Sequence, residues 1–152
     1  MSVRKVTKRT SEVYTIKSDE HDDTIFLYVD DYTPSQAKII IEVFGDVWSY
    51  YWGSMADMGW KKFFCGCDND YLLHKFLTPQ RREEIDIDRI KRNAQLPEWV
   101  NYPSELNDID ISARMVEHYG YDWYTELPTR NTAEYYYLSK IIDTVKEALQ
   151  QL

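Results

Sequence analysis

A chain of 152 residues, 43% hydrophobic and 29% charged, can bury a core without disulfide staples and is too apolar to be mainly disordered. Its net charge of −8 opposes non-specific attraction to nucleic acid or anionic membranes, since a phosphate binder must supply positive charge. With only Cys65 and Cys67 there is no secreted-type disulfide framework, and no run approaches the roughly 18 apolar residues of a membrane span.

Residues 1 to 11 are polar and basic, and they lack the apolar stretch of a secretory signal. A basic arm leading into a cytoplasmic domain is expected. Glu12 to Lys17 reads as a strand, followed by an acidic turn at Asp19-Glu20-His21-Asp22-Asp23. Thr24 to Val29, β-branched and aromatic, reads as a second strand with both faces at least partly covered.

Lys38 to Phe44 and Val47 to Trp52 are two further β-prone runs separated by Gly45-Asp46. A glycine first in a two-residue loop predicts a type II′ hairpin turn. Phe44 then pairs with Val47, Val43 with Trp48, Ile41 with Tyr50 and Ile39 with Trp52. One face of the hairpin is wholly apolar or aromatic (Ile39, Ile41, Val43, Trp48, Tyr50, Trp52) and needs cover. The other, with Lys38, Ile40, Glu42, Phe44, Val47, Ser49 and Tyr51, is mixed and can meet water.

After Gly53 the apolar spacing becomes helical. Met55 to Phe64 brings Ala56, Trp60, Phe63 and Phe64 near one face, and Asp68 is placed to cap a second helix reaching Phe76. Residues 80 to 95 predict one charged helix with a thin stripe of Ile87, Ile90 and Ala94, supported by Asp88 and Arg92 at i,i+4. Trp99 and Tyr102 are expected to pin the loop 97 to 103. A helix from 104 to 119 stops at Gly120. The loop 121 to 131 holds Tyr121, Trp123 and Tyr124. Asn131 and Glu134 then form a capping box for a final helix with its apolar stripe on Leu138, Ile142, Val145 and Leu149. Strands come first and helices after. The prediction is one α+β domain over 1–152, an antiparallel sheet of about four strands covered on one face by four or five helices.

Chemistry-bearing motifs are sparse. Cys65-Gly66-Cys67 has the wrong spacing for zinc, and Asp68-Asn69-Asp70 lacks the glycine and terminal glutamate of a calcium loop. There is no GxSxG elbow and no phosphate-cradling glycine loop. His118 sits at a helix C-terminus, where a cation is favoured without any catalytic role. No catalytic residue, cofactor or metal ligand is assigned. The unusual figure is 15% aromatic residues, with 13 Tyr and 5 Trp, types that serve both cores and interfaces. Trp48, Tyr50 and Trp52 on a sheet face could stack single-stranded bases. Residues 97 to 152 instead carry ten acidic side chains against four basic ones. The candidate binding residues are therefore Trp48, Tyr50, Trp52, Tyr121, Trp123, Tyr124 and the carboxylates Asp108 and Asp110.

The stretch from Ile39 to Met55, followed by Phe63-Phe64 and by Cys67 to Leu72, resembles small accessory proteins of tailed bacteriophages and prophages. The resemblance implies the bacterial cytoplasm and a role in phage–host conflict, such as blocking a host defence complex by binding it. The expectation is a non-enzymatic binder of a host protein or protein complex. A single-stranded nucleic-acid binder and an unrecognised small enzyme are the rival classes. Sequence fixes neither the partner's identity nor the oligomeric state.

Overall fold

The computed structural model describes residues 2–19 and 23–152. Glu20, His21 and Asp22, the middle of the expected acidic turn, lie outside the described residues. The architecture is α+β. Strands β1 (Glu12–Lys17), β2 (Thr24–Thr33), β3 (Gln36–Val43) and β4 (Asp46–Trp52) form one antiparallel sheet in the order β1-β2-β3-β4. Helices α1 (Trp60–Gly66), α2 (Asn69–Phe76), α3 (Pro79–Arg82), α4 (Ile87–Ala94), α5 (Ile109–Tyr119) and α6 (Ala133–Gln150) follow. A 3-10 turn spans Pro103–Asn107, and two short strands, β5 (Glu83–Ile85) and β6 (Thr129–Asn131), pair with each other. The sequence reading runs one domain over 1–152; the contacts group the chain into two compact units, residues 1–78 with 136–152, and residues 79–135.

In the sheet unit the hairpin turns one residue earlier than predicted. Val43 pairs with Asp46, Ile41 with Trp48 and Ile39 with Tyr50, leaving Phe44 and Gly45 at the turn. Both have positive φ, 51° and 84°, which makes the turn type I′ rather than type II′. That geometry matches the right-handed twist of the flanking strands well enough to carry the strain of an exposed Phe44 in the left-handed region. Each residue's partner moves by two positions, so no side chain changes face. Ile39, Ile41, Val43, Trp48 and Trp52 are buried, as are Ile25, Leu27 and Val29 on β2.

Three helices cover this face. Trp52 packs edge-on against Phe63 of α1 and Phe76 of α2, at 5.9 and 5.6 Å between ring centroids, and its Nε1 donates to Tyr71 Oη at 3.2 Å. Trp48 meets Tyr137 of α6 at 6.2 Å. Asp68 caps α2 by accepting from Tyr71 N at 2.7 Å, as its position predicts. Lys146 of α6 donates to Cys67 O and, at 2.8 Å, to Asn69 Oδ1, tying α6 to the start of α2. The first helix is shorter than expected, because Ala56, Asp57 and Gly59 all take positive φ and Ala56 is exposed. Leu138, Ile142, Val145 and Leu149 are buried as their spacing requires.

In the unit of residues 79–135 the predicted helix over 80–95 is divided into α3, β5 and α4. The cause is a non-local pairing: Glu83, Glu84 and Ile85 face Asn131, Arg130 and Thr129. Arg130 on β6 donates to Glu84 (3.2 Å), Asp86 (3.4 Å) and Asp88 (2.6 Å). The hydrogen-bonded partner of Asp88 is thus Arg130, and Arg92 acts on it only through space. Asp86 also caps α4 by accepting from Arg89 N. Thr132, not Asn131, caps α6, since Thr132 Oγ1 accepts from Tyr135 N at 3.1 Å. Ile87, Ile90, Val100, Leu106, Ile111 and Met115 form the core of this unit.

Candidate functional site

The sequence-predicted site residues fall in three places. Trp48 and Trp52 are 2% and 4% exposed, and Tyr50 is half-buried beside them, its ring 4.9 Å from Trp52. The buried indoles serve the sheet core and present no open ring face for a base to stack on. Asp108 and Asp110 lie at the start of α5. Asp108 accepts from Asp110 N (3.0 Å) and Ile111 N (3.3 Å), so its carboxylate is the helix cap; Asp110 is exposed in the first turn, where negative charge suits the helix dipole. Tyr121, Trp123 and Tyr124 follow the other end of this 11-residue helix, about 16 Å away at 1.5 Å per residue.

The segment after α5 is locally built. Gly120, at φ 95°, ends the helix, and its N–H donates to Val116 O at 2.8 Å. Trp123 N then donates to Gly120 O (3.2 Å) and Thr125 N to Asp122 O (3.0 Å), folding the loop into consecutive turns. Trp123 packs on the core formed by Ile87, Ile90 and their neighbours. Tyr124 stands edge-on to it at 5.9 Å. Tyr121 and Tyr124 themselves are 84% and 66% exposed. One aromatic anchors the loop and two stand outward.

The sequence on either side of them is mostly acidic. From Asn93 to Thr129 there are seven carboxylates (Glu98, Glu105, Asp108, Asp110, Glu117, Asp122, Glu126) and a single cation, Arg114, which donates to Gln95 O at 3.2 Å. Two further aromatics of this stretch are outward, contrary to the sequence reading. The sequence points to Trp99 and Tyr102 as the pins of the loop 97 to 103, but both are exposed and Val100, fully buried, does the pinning. Val100 belongs to the apolar core of this unit, with Ile90, Leu106 and Ile111 among its members. The place of the two aromatics among prolines, in Leu96-Pro97-Glu98-Trp99 and Tyr102-Pro103, was the available signal.

His118 is exposed, its ring 4.5 Å from Tyr119, in an open groove lined by Asn93, Gln95, Arg114 and Glu117. Among the described residues no polar or charged residue is buried, and no group of three or more metal-ligating side chains converges. Partial burial pushes the thiols of Cys65 and Cys67 up, against the opposing charge of Lys146, which keeps them protonated near neutral pH. Burial and the hydrogen bond to Asp23 push Tyr137 up to about 12, so that phenol is a neutral donor in the wall of the sheet unit. No helix among the described residues is long and apolar enough to cross a membrane.

Compared with known proteins, the chain matches a phage family over residues 1–151. No curated protein and no solved structure matches it.

Proposed function

This chain belongs to a phage family, and on that premise we propose that it is a non-enzymatic accessory protein of the infected bacterial cytoplasm that binds a host macromolecular complex, such as a defence complex, and inhibits or modulates it. The observation that carries this reading is the surface of residues 93–129. Tyr121 and Tyr124 are held outward by a loop anchored through Trp123, within a stretch whose charge is almost wholly negative. Tyrosine offers a large amphipathic contact area at low conformational cost, and aromatic anchors dominate the energetics of protein interfaces. The carboxylates steer the encounter toward a basic protein surface and away from nucleic acid.

The test is affinity capture of the tagged chain from bacterial lysate, with and without nuclease. A stoichiometric protein partner that survives nuclease is the expected result. Recovery that disappears with nuclease would assign the chain to nucleic acid instead.

A further inference from the structure

Within the sheet unit, α1, α2 and α6 leave the second face of the four-stranded sheet uncovered. The pairing register arranges its side chains in cross-strand rows. One row runs Val13, Tyr28, Ile40, Ser49, and the row beside it joins Asp30, Lys38 and Tyr51. On the other side stand Thr15, Phe26, Glu42 and Val47. Val13, Val47 and Tyr51 are about half exposed, and Phe26, Tyr28 and Ile40 are only partly covered. Tyr32 and Tyr51 meet edge-on at 5.9 Å at one margin, where Arg9 pairs with Asp30 and lies over the Tyr32 ring. Apolar and charged side chains share the two central strands of this face: Phe26, Tyr28 and Asp30 on β2, and Lys38, Ile40 and Glu42 on β3.

We infer that this face is an interface between two copies of the chain, packed sheet to sheet about a two-fold axis running between β2 and β3. Two features select a second copy over another partner. The first is charge. A molecule of net charge −8 repels its own copies. On this face, however, Arg9, Lys17 and Lys38 stand among Asp30 and Glu42, so the face itself is nearly neutral and adds little to that repulsion.

The second feature is self-complementarity. A two-fold axis parallel to the strands lays β2 of one copy over β3 of the other and preserves each residue's level along the strand. Tyr28 then meets Ile40 of the second copy, and Asp30, which already pairs with Arg9 and faces Lys38 in its own chain, also meets Lys38 of the second copy. Each contact is made twice, as an isologous interface requires. Stacked sheets cross at about 30°, which concentrates the closest contact at the centre of the face, where Tyr28 and Ile40 stand. Four strands at about 4.8 Å and some 20 Å of strand length give a projected area of roughly 400 Å². A stable interface uses roughly 800 Å² per partner, so the association is weak and concentration-dependent.

Sedimentation equilibrium on the full chain tests this, from about 10 μM to about 1 mM. The average mass should climb from 18.2 kDa toward twice that value. Asp30→Lys sets lysine against lysine across the interface, and Lys38→Asp sets carboxylate against carboxylate. Each variant alone should dimerise about tenfold or more weakly than the parent chain. Their equimolar mixture should recover association, because both ion pairs form across the mixed dimer. That recovery also shows that both variants are folded. A single-chain mass at every concentration would overturn the inference, as would variants that dimerise unchanged or a mixture no tighter than its components.

Discussion

In the sheet unit Trp48, Trp52 and Trp60 are at most 4% exposed, whereas in residues 79–135 Trp99, Tyr102, Tyr121 and Tyr124 are all at least half exposed. The residue types are alike and their uses are opposite. On β4 the strict alternation of a strand sends Trp48 and Trp52 to the face that α1, α2 and α6 cover, so each ring replaces water with other rings. After Gly120 the backbone closes its own turns, and a single ring, Trp123, is enough to hold the loop on the core. The neighbouring tyrosines are released to solvent. Aromatic content by itself therefore says nothing about binding; the backbone that carries each ring decides.

The contrast can be broken or sharpened by substitution. The largest effect is expected from Trp52→Ala, which removes a buried ring contacting Phe63, Phe76 and Tyr50 and should cost about 3–5 kcal/mol in urea unfolding. A cost below about 1 kcal/mol would mean that the sheet aromatics do not hold the core. Next comes Asp108→Ala, which removes the cap of α5 and should cost about 1 kcal/mol. Asp108→Asn keeps an acceptor for the cap while removing the charge. If it leaves stability intact but weakens partner capture, Asp108 contributes to binding as well as to the helix.

A third test concerns what holds β5, β6 and α4 together. The hydrogen bond from Arg130 keeps the Asp88 carboxyl below the ordinary carboxylate range. A carboxyl whose pKa is lowered by folding stabilises the fold above its unfolded pKa, about 3.9, and loses that contribution as pH falls through the lower folded value. Arg130→Met should therefore be less stable than the parent chain at neutral pH, with the gap closing below about pH 4. A gap that stays constant under acid would mean that Arg130 acts through packing alone. The smallest stability effect is expected from Tyr121→Ala and Tyr124→Ala, each within about 0.5 kcal/mol of the parent chain by thermal or urea unfolding.

What could be read from the sequence followed the range of the interactions. Strand β1 matches its predicted bounds, and the faces of β3 and β4 follow from alternation, which survived even the misplaced turn at Phe44-Gly45. The Asp68 cap and the apolar stripe of α6 are local signals and were legible in the sequence. The pairing of β5 with β6 was not, because three-residue strands more than 40 positions apart carry no periodicity of their own. The same pairing took Asp88 away from Arg92 and moved the α6 cap from Asn131 to Thr132. Of the candidate site, the cluster Tyr121, Trp123 and Tyr124 was visible as composition. Only the packing of Trp123 separates the anchor from the two exposed rings.

The most direct test of the proposed binding surface is nuclease-treated capture from bacterial lysate with the parent chain and the Tyr121→Ala, Tyr124→Ala double variant side by side. The account predicts a stoichiometric protein partner on the parent chain and its loss from a double variant that unfolds at the same urea concentration. The same partner held equally by both chains would contradict it and move the binding site away from the loop after α5.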